Sequence, residues 1–262
     1  MFRLSTLIYG FFAVVFLSTS SLAGHHEKAD NGIGSTPSIS VSGILPSTSK
    51  TEYPEAQWQI KNPLNLGVSE EKVKRLFDLS FADSATQGVV LIKDGFLIGE
   101  RYAEGFEKSS YGTSWSMAKS FYASLIGISI DRGEINSLDD KVADYLDYFG
   151  DQRAEISLRD LLDMTSGLEM PDHEHENMFF SGDHLAYARD VGVEKPAGQK
   201  FEYNNVNSML LADILEQATG QKADVLLKQR VFDKIGLTDV TLWQDSAGNP
   251  LTYCCVDTTA RQ

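Results

Sequence analysis

The stretch GTSWSMAKSFYASLIGISIDRG, Gly112 to Gly133, carries two messages at once. Ala118, Tyr122, Leu125, Ile126 and Ser129 recur at spacings of three and four, which predicts a helix buried on that face. Asp131-Arg132-Gly133 ends it, because glycine enters the left-handed C-cap conformation without steric cost. At the front of this helix stand Ser116 and Lys119, three residues apart and so on one face. There an ammonium group lowers the cost of forming a serine alkoxide, and the helix N-terminus adds positive potential. The pattern alone is cheap, since Ser47 to Lys50 and Ser69 to Lys72 also match S-x-x-K. The former lies in a low-complexity tract and the latter opens a charged helix; only Ser116 precedes a strongly apolar one. An N-cap serine with an incidental lysine accounts for Ser116 equally well at this point.

Upstream, GVVLIKDGFLIGERY (Gly88 to Tyr102) sets two apolar, β-rich runs around Asp94-Gly95, a strong hairpin signal. Ahead of it, Ser69 is placed to cap a helix with Val73, Leu76, Phe77 and Leu79 on its inner face. Downstream, helices are predicted over Asp139 to Leu146, Ser157 to Met164, His184 to Arg189, and Ser208 to Thr219 ahead of Gly220. One hairpin and many helices make an α+β fold.

A second constellation is PAGQKFEYNN, Pro196 to Asn205. Proline and glycine break the chain, and Tyr203 with Asn205 falls on a loop leading into the helix from Ser208. Such a loop presents a phenol and an amide to one cleft wall. Taken alone, it reads equally as a structural tyrosine beside a capping asparagine.

Four blocks in this order, Ser116-Met-Ala-Lys119, Gly133 to Val142, Ile156 to Leu168 and Pro196 to Asn205, resemble the serine β-lactamase and penicillin-recognising superfamily. The resemblance runs from about Asn65 to the end of the chain and is nearest to class C lactamase-like esterases, D-aminopeptidases and 6-aminohexanoate-dimer hydrolases. It implies a β-lactamase/transpeptidase-like fold, an antiparallel sheet flanked by helices with a helical subdomain. It also implies a hydrolase acting through an acyl-enzyme on an amide, ester or lactam, with no cofactor. Ser116 would be the acylated nucleophile, with its backbone N–H as half of an oxyanion hole. Lys119 would help to deprotonate it, and Tyr203 would relay protons to and from the leaving group. Asn205 would bind substrate or orient Lys119. The superfamily's third motif, a Lys/His/Trp-x-Gly type triad, is not found from Leu251 to Gln262, and no Lys-Thr-Gly occurs in the chain. The C-terminal strands are therefore expected to be missing, leaving the hairpin without sheet neighbours and the chain a poor hydrolase. The alternative reading is a catalytically incomplete fragment or a non-catalytic, penicillin-binding-like ligand-binding protein.

At the N-terminus, Arg3, the apolar stretch Leu7 to Leu17 and Ser21-Leu22-Ala23 have the form of a signal peptide, 1–23, cut after Ala23. Export to the periplasm or medium is the expectation, without stable membrane insertion after cleavage. Residues 24–61, rich in Ser, Thr, Pro and Gly, read as a linker to the domain at 62–262. Among 262 residues, 23 Lys and Arg face 37 Asp and Glu; the resulting charge of −14 repels phosphate and argues against nucleic-acid partners, and the resemblance implies a small-molecule or peptide-like substrate. His173-Glu174-His175 reads as an exposed loop rather than a metal site, since an i, i+2 pair shares a face only on a strand. Cys254-Cys255 reads as two unpaired, core-like thiols, the strained small ring opposing a disulfide, and the segment to Ala260 as the lead-in to a helix.

Overall fold

Asp94 and Gly95 both adopt positive φ, 51° and 82°, the conformation a two-residue hairpin turn of matching twist requires. They join β2 (Thr86–Lys93) to β3 (Phe96–Tyr102), which pair antiparallel from Gly88 opposite Tyr102 to Lys93 opposite Phe96. The computed structural model describes residues 57–171 and 174–262, together with the backbone of Phe11–Leu17. The cleavage point after Ala23, most of the linker and His173 lie outside the described residues. The chain divides into two units, one ending at Glu107 and one beginning at Lys108.

In the first unit, β1 (Phe11–Leu17) runs parallel to β2, and Gln59 to Lys61 hydrogen-bond to Leu97 of β3. In the uncleaved chain β1 lies along one edge of the hairpin, and at the other edge the end of the linker is pinned to β3 by the bridge between Ile60 and Leu97. The helix α1 (Glu70–Ser80) starts at Ser69, whose hydroxyl accepts from Lys72 N. Val73 and Phe77 are buried, but Leu79 is 67% exposed and not on the inner face. At 100° per residue Leu79 lies 120° around the helix from Val73, whereas Phe77 lies only 40° away. Gly99 of β3 lets α1 approach, since a Cβ there would sit 3.0 Å from the Phe77 ring.

The second unit is built around α2 (Ala118–Asp131) and α6 (Asn205–Thr219). The α2 face read from the sequence is the buried one, and every residue of α6 from Val206 to Leu215 is buried. Around them pack α3 (Leu158–Leu162), α4 (Glu174–Phe179), α5 (His184–Asp190) and α7 (Ala223–Leu227). A three-stranded antiparallel sheet orders β4 (Tyr111–Thr113), β6 (Val256–Thr259) and β5 (Val240–Leu242), with β6 central.

Asp139 to Leu146 is not a helix but contains a single 3-10 turn, Val142–Asp144. Its backbone is committed sideways: Val142 N donates to Ile156 O and Leu158 N to Asp140 O, leaving too few bonds for a helical ladder. The stretch before Ala260 is the strand β6 rather than a helix lead-in, its β-branched residues pairing on both sides. Cys254 and Cys255 form a vicinal disulfide, with Cys255 at φ 76°. Finally, α6 begins three residues earlier than predicted, because the Asn204 side chain caps it by accepting from Val206 N.

Candidate active site

Trp115 has φ 44°, a left-handed conformation rare for a bulky residue. It persists because Cys255 and Val256, at the entry to β6, clamp the chain. Ser114 N donates to Val256 O, Val256 N donates to Ser114 Oγ, and Cys255 N donates to Trp115 O. The result is a sharp turn that sets Ser116 exposed on a 3-10 turn feeding directly into α2. One turn on, Lys119 reaches back, its Nζ 3.2 Å from Ser116 Oγ.

The Lys119 ammonium also donates to Asn205 Oδ1 at 2.8 Å and to the backbone oxygen of Tyr253 at 2.7 Å. All three acceptors are neutral oxygens, drawn from α2's own approach, the first turn of α6 and the segment before β6. Asn205 is therefore helical and half-buried, not on the loop predicted from the sequence. Tyr203 precedes the α6 cap, and its hydroxyl donates to Ser116 Oγ at 2.7 Å. That segment is held from behind: Glu202 N donates to Met164 O, Asn204 Nδ2 donates to Glu169 O, and Lys195 and Lys200 pair with Glu202. Gly167 makes this packing possible, since a Cβ on it would fall 2.0 Å from Lys195 O.

Electrostatics at Tyr203 pull in two directions. Burial raises its pKa, but hydrogen bonding with Lys119 and Ser116 and the Lys119 charge outweigh it, so the phenol ionises below its ordinary value. Lys119 Nζ sits 5.0 Å from the centroid of the Tyr203 ring. The structure thus brings together Ser116, Lys119, Tyr203 and Asn205, the four residues singled out in the sequence.

Two partners were not found from the sequence. One is Tyr253 O, a main-chain group with no residue signature. The other is His175, read as part of an exposed loop but half-buried on α4. Its Nδ1 lies 2.9 Å from Asn205 Nδ2, and its ring meets Tyr203 edge-on at 5.9 Å. A histidine followed by an apolar residue three positions on, Met178, was the only cue to a partly buried helix face. Among the described residues, no three His, Cys, Asp or Glu side chains are grouped to hold a metal ion.

A serine flanked by a lysine amine and a tyrosine hydroxyl is the arrangement on which comparison with known proteins bears. The model of the Beta-lactamase family matches residues 89–259. The chain belongs to the Beta-lactamase family. It is 31% identical over 176 residues to a D-aminopeptidase of Brucella anthropi, an alignment covering 61% of this chain and 33% of that protein. The chain thus spans about a third of the length of that relative. Among solved structures, a Bacillus anthracis protein provisionally named a 6-aminohexanoate-dimer hydrolase superposes with TM-score 0.63 at 22% identity, over 72% of this chain and 53% of the other. An octameric penicillin-binding protein homologue from Pyrococcus abyssi superposes with TM-score 0.59 at 18% identity, over 73% and 54%. These likenesses establish the β-lactamase/transpeptidase-like α+β fold.

Proposed function

We propose that the protein is a serine hydrolase that forms an acyl-enzyme at Ser116 on an amide, ester or lactam bond of a small or peptide-like substrate. The observation that carries this reading is that Ser116 Oγ lies within hydrogen-bond reach of both Lys119 Nζ and Tyr203 OH, 3.2 and 2.7 Å. With Tyr203 ionised, the 2.7 Å contact reverses direction and the phenolate takes the Ser116 proton as Oγ attacks the substrate carbonyl. Lys119 stabilises the phenolate and the developing alkoxide. The Ser116 N–H, at the N-terminal approach to α2, serves as one donor to the oxyanion. Collapse of the tetrahedral intermediate breaks the carbonyl bond to the leaving group, which takes its proton back from Tyr203. Water then attacks the ester at Ser116, losing a proton to the same phenolate, and that proton passes on to Ser116 Oγ as the acid leaves, restoring the serine and the phenolate. The D-aminopeptidase relative supports an amide of a peptide-like substrate, and no metal or organic cofactor enters any step.

The test is covalent. A fluorophosphonate or activated ester should leave one adduct, mapped by peptide mass spectrometry to Ser116, and Ser116→Ala should abolish both the adduct and turnover. Turnover persisting in Ser116→Ala would refute the reading. Export is part of the same proposal, supported by the Arg3, Leu7 to Leu17 and Ser21-Leu22-Ala23 pattern. Sequencing of exported protein should begin at Gly24, and an intact Met1 on soluble cytoplasmic protein would refute it.

A further inference from the structure

We propose that His175 is a positioning residue for this site: as a neutral acceptor at Nδ1 it holds the Asn205 amide so that Oδ1 stays on Lys119. The inference rests on the serine-hydrolase reading above. It follows from donor and acceptor chemistry. An ammonium group only donates, so the Asn205 atom 2.8 Å from Lys119 Nζ must be the oxygen. The other end of the amide is then NH2, a donor, and it lies 2.9 Å from His175 Nδ1. His175 must accept there, which places its proton on Nε2.

The consequence reaches the nucleophile in two steps. The terminal torsion of an asparagine is soft, and without an acceptor at its amide nitrogen nothing on the far side of the amide opposes its swinging away from Lys119. Lys119 then loses one of the oxygens that aim it, and Ser116 Oγ, 3.2 Å away, loses a fixed neighbour. The same imidazole packs edge-on to Tyr203, so one side chain from α4 meets both residues of the Tyr203-x-Asn205 pair. Through His175, α4 is thereby linked to the geometry at Ser116.

Two substitutions separate the acceptor from the ring. His175→Asn places an oxygen close to where Nδ1 stood, whereas His175→Phe keeps an aromatic ring against Tyr203 but has no acceptor. With the full-length protein and an activated ester, His175→Phe should lower kcat by about ten- to a hundredfold while KM changes by less than about threefold. His175→Asn should stay within about threefold of the parent in kcat. Cooperative urea unfolding of each variant guards against loss of fold. The proposal is overturned if folded His175→Phe keeps the parent kcat, or if His175→Asn falls as far as His175→Phe, which would assign the effect to the ring. Nitrogen-15 NMR of the histidine ring gives a readout that needs no turnover: an Nε2–H tautomer is expected, and an Nδ1–H tautomer overturns the assignment. Turnover surviving in a parallel Ser116→Ala sample would instead strike the hydrolase reading and leave the tautomer result standing.

Discussion

Replacing Tyr203 by phenylalanine deletes one oxygen and leaves the ring in place. That oxygen is the nearer of the two groups around Ser116 Oγ, at 2.7 Å against 3.2 Å for Lys119 Nζ. If it carries protons to and from the reacting groups, its loss removes a general acid–base contribution of about a hundred- to ten-thousandfold, roughly 3 to 5 kcal/mol of transition-state stabilisation. Folding should hardly change: Tyr203 is 40% exposed, and an exposed hydroxyl contributes under about 1 kcal/mol. The sign of the pH dependence is also set. The base is the phenolate, which predominates above the phenol's pKa, and that pKa lies below its ordinary value because the hydrogen bonds and charge of Lys119, with the Ser116 contact, outweigh burial. Acylation should therefore rise with pH along a limb centred below the usual phenol range, and Tyr203→Phe should flatten that limb. Stopped-flow acylation by a chromogenic ester and a matching anilide, from neutral to alkaline pH, measures both effects. The anilide should suffer more, because its poorer leaving group needs the returned proton. A folded Tyr203→Phe protein within about threefold of the parent on both substrates, with the same pH profile, would refute the reasoning.

Other consequences lie away from the nucleophile. Arg230 grips Glu134 at 2.6 and 2.9 Å and, with help from Arg132 and Ser129 against the cost of burial, holds its carboxyl from an ordinary 4.5 down to about 2. A depressed carboxylate contributes stability that is complete above the unfolded pKa and lost as pH falls through the folded one. Glu134→Gln should thus cost about 1 to 2 kcal/mol in urea titrations at pH 7, after allowance for partial exposure, with the gap closing from 4.5 towards 2. Gly167→Ala meets both a φ of 71° and a carbonyl 2.0 Å from the added carbon, and should destabilise by more than about 2 kcal/mol and lower acylation through the Tyr203 segment. Denatured, unreduced protein should titrate as thiol-free, because Cys254 and Cys255 are joined; two titratable thiols would refute that pairing.

Much of the fold was legible because its signals are local. The hairpin declared itself through Asp94-Gly95, α2 through its period and its terminal glycine, and α3 through Ser157, which forms a capping box with Asp160. Asp139 to Leu146 misled because its apolar spacing suits a helix while its backbone partners lie at Ile156 to Leu158, which periodicity cannot report. The stretch at Cys254 to Ala260 misled for the same reason: strand or helix was decided by whether β4 and β5 flank it. The start of α6 was read at Ser208 rather than Asn205, because the apolar period begins late while the cap is supplied by Asn204, whose side chain accepts from Val206 N.

The sequence by itself determined which side chains are available for chemistry, namely Ser116 and Lys119 one helical turn apart and Tyr203 and Asn205 two residues apart, since each spacing is set by the backbone geometry of a single short segment. Their mutual distances were decided only by tertiary structure. Lys119 meets Tyr253 O across 134 residues of chain, Tyr203 meets Ser116 across 87, and His175 meets Asn205 across 30. Contacts of that range arise from the burial of α2 and α6 against one another and from β6 holding Trp115 at positive φ, and a backbone carbonyl such as that of Tyr253 is chemically identical at every position until packing aims it.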